Sequence, residues 1–240
     1  MLAVANKWTH TIFLLYGVFM AITVNGYTYP EHFVEATHHD GFSNNIPAWT
    51  QLLAPYKEMD NLRFLELGTN LGRASVFLLD TILTGKNCLL DTVDFTNHIR
   101  TADKDGVDTS TIKNLQPYID NKTCVFHQKL TVDFFATIGN VEYDLIYVDA
   151  SHEREDVLFD AVNSFFHLKQ NGVIIFDDYG WGECGEGIDA FLTTFSRKIR
   201  LISKGWQVVV QLRNKQDMLF RPDSGREGFW NDEDVKTSRS

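Results

Sequence analysis

The chain predicts an α/β fold: a doubly wound, mainly parallel sheet with helices on both faces. Three observations carry this. Short runs rich in branched and aromatic residues alternate with stretches whose apolar residues recur at helical spacing. Several of those runs are apolar throughout, as strands covered on both faces are. A glycine-bearing turn follows the first run, and later runs end in acidic residues.

The N-terminus stands apart. From Trp8 to Pro30 there is no Asp, Glu, Lys or Arg, and residues 11–24 are almost wholly apolar. Lys7 precedes this block, and Val24-Asn25-Gly26 resembles a small-residue cleavage site. Residues 1–26 therefore read as a signal peptide or N-terminal anchor, the alternative being an internal helix packed on the domain. The block is short for a membrane span, which needs about 20 residues. This favours the secretory pathway or a membrane-anchored location, with the cytoplasm as the alternative. Asn121-Lys122-Thr123 is a glycosylation sequon, a weak signal in the same direction.

Residues 27–60 read as an N-terminal helical extension. Its polar start holds His32, His38 and His39, taken as a solvated connector rather than a metal cluster. Trp49, Leu52, Leu53 and Tyr56 then recur at helical spacing, with Pro47 suited to a first turn. The domain proper spans residues 61–222, and 223–240 form a flexible tail. Leu62-Arg63-Phe64-Leu65-Glu66-Leu67 is the first strand, and residues 74–83 form a helix ending near Gly85. Cys88-Leu89-Leu90-Asp91-Thr92-Val93-Asp94 is the second strand, followed by a polar loop over 96–110. A short helix over 111–119 is expected, Pro117 blurring its end. Thr123-Cys124-Val125-Phe126-His127 is the third strand and 131–138 a helix. Tyr143-Asp144-Leu145-Ile146-Tyr147-Val148 and Gly172-Val173-Ile174-Ile175-Phe176 are strands around a helix over 156–168. A helix over 185–199 follows, with Arg197-Lys198-Ile199-Arg200 as its solvated basic end. Residues 206–210 and 217–220 are the closing pair of strands.

The 240 residues carry a net charge of −10, which argues against a nucleic-acid backbone as partner. Cys88, Cys124 and Cys184 lack metal-binding spacing and read as buried free thiols.

The chemistry lies at the strand ends. Glu66-Leu67-Gly68-Thr69-Asn70-Leu71-Gly72 is a strand-to-helix turn in which glycine lets backbone approach a ligand. Asn70 and Arg73 stand where a dinucleotide fingerprint needs glycine, which disfavours a nicotinamide enzyme. Asp94 ends the next strand, where a carboxylate can accept hydrogen bonds from ribose hydroxyls. Asp149-Ala150-Ser151-His152 and Asp177-Asp178-Tyr179 end two neighbouring strands. Parallel strands open their carboxyl ends onto one crevice, so three carboxylates and an imidazole are expected together. Carboxylates held close repel unless a cation sits between them.

These motifs, in this order from Leu65-Glu66-Leu67-Gly68-Thr69-x-x-Gly72 to Asp177-Asp178-Tyr179, resemble a class I S-adenosylmethionine-dependent methyltransferase. The nearer likeness is to the small O-methyltransferases of the catechol and macrocin type, over roughly residues 46–220. The resemblance implies a Rossmann-like seven-stranded sheet with an antiparallel last strand. It implies Glu66, Gly68, Thr69, Asn70, Gly72, Asp94 and Asp149 at the S-adenosyl-L-methionine site. Asp149, Asp177 and Asp178 match the positions that hold Mg2+ in metal-dependent members, and His152 matches a base. Two departures are Asn70, where the family often has Gly, and Ala74, where it usually has Ser; Ser75 lies one residue late.

The expected function is methyl transfer to a hydroxyl of a small molecule, Mg2+-assisted, with Asp149 and His152 catalytic. Alternatives are a metal-independent methyltransferase and a catalytically silent binding protein that kept the fold. The expected partner is a small hydroxylated acceptor and not nucleic acid; residues 8–30 are the only stretch suited to touch a membrane. Tyr179 and Trp181 either wall the acceptor pocket or cover the sheet edge.

Overall fold

A computed structural model describes residues 22–34, 40–95 and 109–213. The expectations for a leader before Ile22, for His38 and His39, for the loop over 96–108, for a strand at 217–220 and for the tail lie outside these residues. Among the described residues no helix is long and apolar enough to cross a membrane.

The chain opens with a hairpin, β1 (Thr23–Val24) against β2 (Tyr27–Thr28). Asn25 and Gly26 form its turn, both at positive φ (50° and 84°), the conformation a tight hairpin demands. The hairpin belongs to the core: Ile22 and Tyr27 pack against the main apolar cluster, and the Tyr27 hydroxyl donates to Asp80 at 2.7 Å. Tyr118 donates to the other oxygen of Asp80 at 2.6 Å, so one carboxylate ties three segments together. A cut at Gly26 would therefore remove β1 from a folded domain. Helix α1 (Ile46–Leu52) starts with Pro47 in its first turn, as expected, and a 3-10 turn (Ala54–Tyr56) follows.

The sheet strands are β3 (Arg63–Leu67), β4 (Leu89–Asp94), β5 (Cys124–Gln128), β6 (Tyr143–Val148), β7 (Leu168–Phe176), β8 (Ile199–Lys204) and β9 (Val208–Leu212). Between them run α2 (Arg73–Thr81), α3 (Thr109–Asp120), α4 (Thr131–Thr137), α5 (Arg154–Phe166) and α6 (Gly182–Phe195). The spatial order is β5-β4-β3-β6-β7-β9-β8. The first five strands are parallel; β9, last in sequence, runs antiparallel between β7 and β8. This is the seven-stranded Rossmann-like arrangement.

Alternation along each strand divides the core. Phe64, Leu145, Tyr147, Val173 and Ile175 face one side, under the N-terminal segment, α1 and α2. Leu65, Leu67, Ile146, Val148, Ile174 and Phe176 face the other, under α4, α5 and α6. Winding reverses between β3 and β6, and that switch point opens the crevice at the carboxyl ends.

Three boundaries differ from expectation. The last two described strands are 199–204 and 208–212, so the strand expected at 206–210 pairs with one that precedes it in sequence. Ile199 is the only buried residue of β8, so an edge strand with five exposed side chains hid its pattern, and Arg197–Arg200 passes from a turn into a strand rather than ending a helix. Leu168 opens β7 instead of closing α5, because His167 caps the helix. Helix α3 continues through Pro117 to Asp120. His32 Nε2 lies 3.3 Å from the Asn114 carbonyl. The three cysteines are buried and free, as expected.

Asp160 of α5 is 1% exposed; among the described residues neither carboxyl oxygen has a well-formed hydrogen bond, and the Thr131 hydroxyl only partly opposes the cost of burial. Burial pushes its pKa up to about 7, with Asp156 adding to the rise. A raised folded-state value means the carboxyl folds without cost only while protonated. The penalty grows from about pH 4 and levels off above pH 7 at roughly 4 kcal/mol. Asp160→Asn, which mimics the neutral acid, should raise the melting temperature by about 5–10 °C at pH 8 and by little at pH 5. Thermal melts at the two pH values measure this, and equal gains at both would contradict it.

Candidate active site

The crevice is fixed by backbone first. The Leu67 carbonyl at the end of β3 accepts the Asp149 N–H at 2.8 Å, and the Val148 carbonyl accepts the Asp177 N–H at 3.0 Å. The residues that follow three neighbouring strands are thereby drawn to one level. Gly68 comes next with φ +94°, and a Cβ there would stand 1.9 Å from the Asp149 carbonyl oxygen. Only glycine permits both the dihedral and the contact.

The turn from Gly68 to Gly72 is held from several sides. Asn70 takes a positive φ of 48°, and its N–H donates to Asp94 at 2.6 Å. The Thr111 hydroxyl donates to the Asn70 carbonyl, and the Asn114 amide to the Leu71 carbonyl at 2.8 Å. Gly72, at φ +83°, caps α2. Thr69 is buried with its hydroxyl 2.6 Å from that of Thr92. Glu66 lies beneath the turn, 1% exposed, accepting the Ser75 hydroxyl and, at 2.7 Å, that of Thr92. Burial raises its pKa to about 7, the two hydroxyls opposing the shift. Ser75, one residue late against the family pattern, thus supports the turn from α2. Glu66 reaches out to these hydroxyls, and the loop backbone with Asp94 rims the open side.

The acids do converge, though not as a simple trio of aspartates. Ligand atoms of Asp149, His152 and Asp178 all lie within 4.8 Å of one another. His152 Nε2 meets Asp178 at 2.9 Å, and its ring lies over Trp181 at 4.8 Å between centroids. Asp177 is turned elsewhere. Its Oδ2 accepts from Gln207 at 3.0 Å, from Asn45 at 3.3 Å and from the Tyr147 hydroxyl, while Oδ1 accepts the Asp178 N–H at 2.8 Å. The imidazole therefore joins the cluster in the place expected for Asp177, because four donors hold that carboxylate on its other side.

Electrostatics explain what the cluster can do. Asp149 is pushed well above the carboxylate range by burial and then by the charge of Asp177; burial also raises Asp177. Two unit charges 4 Å apart repel by roughly 4 kcal/mol at an effective dielectric constant of about 20. The Tyr147 hydroxyl touches both Asp149, at 2.8 Å, and Asp177, yet has one proton to give. One of the two carboxyls must therefore keep a proton, or a cation must replace it. Two carboxylates and an imidazole make a donor set that fits a divalent ion. The His152 pKa is raised by its hydrogen bond to Asp178, against the effect of burial. Cys184 faces the same cleft, but burial pushes its thiol up to about 11, which leaves it protonated packing.

Sequence reasoning missed Thr92, Tyr147, Asn45 and Gln207. Thr92 and Tyr147 had a usable signal, since each stands two residues before a strand-ending acid and so shares its face. Asn45 and Gln207 had none.

Residues 65–179 match a family model described as a methyltransferase domain. The chain is similar in fold to the O-methyltransferase TomG from Streptomyces achromogenes, involved in tomaymycin synthesis and solved with S-adenosylmethionine. The TM-score is 0.56 at 14% identity, over 73% of this chain and 82% of that one. It is likewise similar to an O-methyltransferase from Bacillus cereus solved with S-adenosylhomocysteine, at a TM-score of 0.55 and 13% identity, over 75% and 84%. No curated protein sequence matches it.

Gly68→Ala tests the backbone contact. The overlap with the Asp149 carbonyl has rigid atoms on both sides, and overpacking alone costs about 1–3 kcal/mol. The expected outcome is a lower melting temperature together with at least about tenfold weaker S-adenosylhomocysteine binding by calorimetry, a loss of 1.4 kcal/mol or more. Wild-type affinity would show that the loop tolerates the displacement.

Proposed function

We propose, from the premise that this chain is a class I S-adenosylmethionine-dependent methyltransferase, that it methylates a hydroxyl oxygen of a small molecule with a divalent cation in the acidic cluster. The single observation that carries this reading is the gathering of Asp149, His152 and Asp178 within 4.8 Å, beside the Gly68 turn.

S-adenosylmethionine on the turn from Gly68 to Gly72 would supply the electrophilic methyl group. Asp94, from the end of β4, and the loop backbone hold the nucleoside end, and Asp149 borders both this site and the acceptor. Asp149 and Asp178 would hold the cation, whose charge lowers the pKa of an acceptor hydroxyl. Mg2+ prefers oxygen ligands, so the two carboxylates suit it, and Asp177 stands behind them as a further acid. His152 serves as base. Its Nε2 faces Asp178, and among the described residues Nδ1 has no hydrogen-bond partner, which leaves that nitrogen for the substrate proton. A nitrogen bound to a cation has no lone pair for a proton, so base and ligand are exclusive roles for one atom. Asp178 steadies the imidazolium once the proton arrives, consistent with the raised His152 pKa. The oxygen–methyl bond forms as the sulfur–methyl bond breaks, and the chain contributes positioning and charge neutralisation.

Trp181 and Trp206, each 58% exposed, stand beside this mouth. Trp206 lies flush on Gly180, where a Cβ would come within 2.9 Å of its ring. The acceptor in this reading is a small hydroxylated molecule that binds beside Trp181. The residues expected at the cofactor site keep those roles in this proposal, and the secretory or membrane-anchored location now rests on the apolar sequence before Ile22, because residues 22–26 belong to the folded domain.

Methyl transfer from labelled S-adenosylmethionine to a panel of vicinal diols, beginning with catechol, tests the reading. Asp149→Asn should lower turnover by about 100-fold or more while S-adenosylhomocysteine affinity stays within about twofold. Chelator should abolish turnover, and added Mg2+ should restore it. Full turnover in chelator would replace this reading with metal-independent transfer.

A further inference from the structure

We propose that Trp49, Gln207 and Tyr147 are positioning residues, a hydrogen-bonded chain that runs from helix α1 through Asp177 to Asp149 and fixes how the acidic cluster presents its oxygens. This rests on the reading of the cluster as a cation site.

The argument follows the direction of each donor. An indole N–H can only donate. Trp49, fully buried, donates its Nε1–H to Gln207 Oε1 at 2.8 Å. That contact decides which way the Gln207 amide lies, for the reversed amide would set N–H against N–H. The amide nitrogen of Gln207 is thereby committed to Asp177 Oδ2, at 3.0 Å. Asn45, at the N-terminus of α1, donates to the same oxygen at 3.3 Å. The Tyr147 hydroxyl sits between that oxygen and Asp149 Oδ2, 2.8 Å from the latter. Tyr147 is fully buried, and its hydroxyl lies within hydrogen-bond reach of both carboxylates. Trp49 acts a second time through its ring, which meets the Tyr147 ring edge-on at 4.7 Å and 86°. The indole therefore fixes the Gln207 amide by its nitrogen and the phenol by its ring.

A merely structural network would not need to end on the reactive acids. This one brings Gln207, Asn45 and the Tyr147 hydroxyl to one oxygen of Asp177, and that hydroxyl shares its single proton with Asp149. Residues that hold a metal's ligands in place typically change its affinity 10–100-fold when removed. Helix α1 thus belongs to the reaction centre, through residues far from it in sequence.

The test uses the full chain, 15N-labelled, as wild type, Tyr147→Phe and Trp49→Phe. Tyr147→Phe keeps the ring and loses one hydroxyl, whereas Trp49→Phe loses the indole N–H together with part of its buried ring. Mn2+ affinity and S-adenosylhomocysteine affinity are measured by calorimetry. Tyr147→Phe should weaken Mn2+ about 10–100-fold, and Trp49→Phe several-fold in the same direction, with S-adenosylhomocysteine affinity within about twofold of wild type. Wild-type Mn2+ affinity in both variants overturns the proposal. So does a parallel loss of both affinities, which marks plain destabilisation. A separate arm guards the underlying reading: if Asp149→Asn leaves Mn2+ affinity unchanged, the cation site itself fails. The chain is then judged by the Trp49 indole 1H–15N resonance. A shift in that resonance in Asp177→Asn, which lies beyond Gln207 along the chain, supports the chain, and its constancy overturns it.

Discussion

One close approach organises this molecule. The backbone of Gly68 rests against the carbonyl of Asp149, at a distance no side chain would tolerate. That contact joins the end of β3 to the end of β6 at the reversal of the sheet. It places the glycine turn directly beside the strand that delivers the first acid. The remaining parts adjust to it. Glu66 fills the space below with two hydroxyls as partners, and Asp94 secures the turn from the neighbouring strand. The crevice is set by main-chain sterics, and its charges are then accommodated within a shape they did not choose.

Those charges are the second level. Asp149, Asp177 and Asp178 line one cleft with Glu66 buried beneath the turn beside it, and Glu66, Asp149 and Asp177 are all driven towards their neutral forms. Such an arrangement is expensive to fold without compensation. Here compensation comes from donors: Tyr147, Asn45, Gln207 and a backbone amide around Asp177, and an imidazole against Asp178. A cation bound in the cleft would relieve the same cost, which is the physical basis of the proposed metal site.

Much of this was legible in the residues. The runs that became β3, β4, β6 and β7 were visible because both faces of a central strand are covered, and covered strands read as continuous apolar sequence. The glycine turn and the strand-ending acids were visible because parallel topology sends them to one edge. β8 was not visible, since an edge strand exposed along most of its length carries the same polar alternation as a surface helix end. The division of labour among the acids was also hidden. Nothing in Asp177-Asp178 distinguishes the two; the distinction comes from Gln207 and Asn45, which reach Asp177 across 30 and 132 positions. Hydrogen bonds between residues that distant leave no local periodicity. The 27–60 stretch looked like an extension for the same reason, because the contacts of Trp49 lie with β6 and the start of β9.

The edge strand has a consequence for the behaviour of the protein in concentrated solution. β8 displays Leu201 and Ile202 beside an open row of backbone donors and acceptors, the arrangement by which sheets recruit further strands. Arg200 and Lys204 bracket that apolar pair, and the pairing register slips between Leu201 and Ser203. Like charges brought face to face and a kinked template both discourage end-on growth into fibrils. The side chains that obscured this strand in the sequence thus act as its gatekeepers against self-templated aggregation.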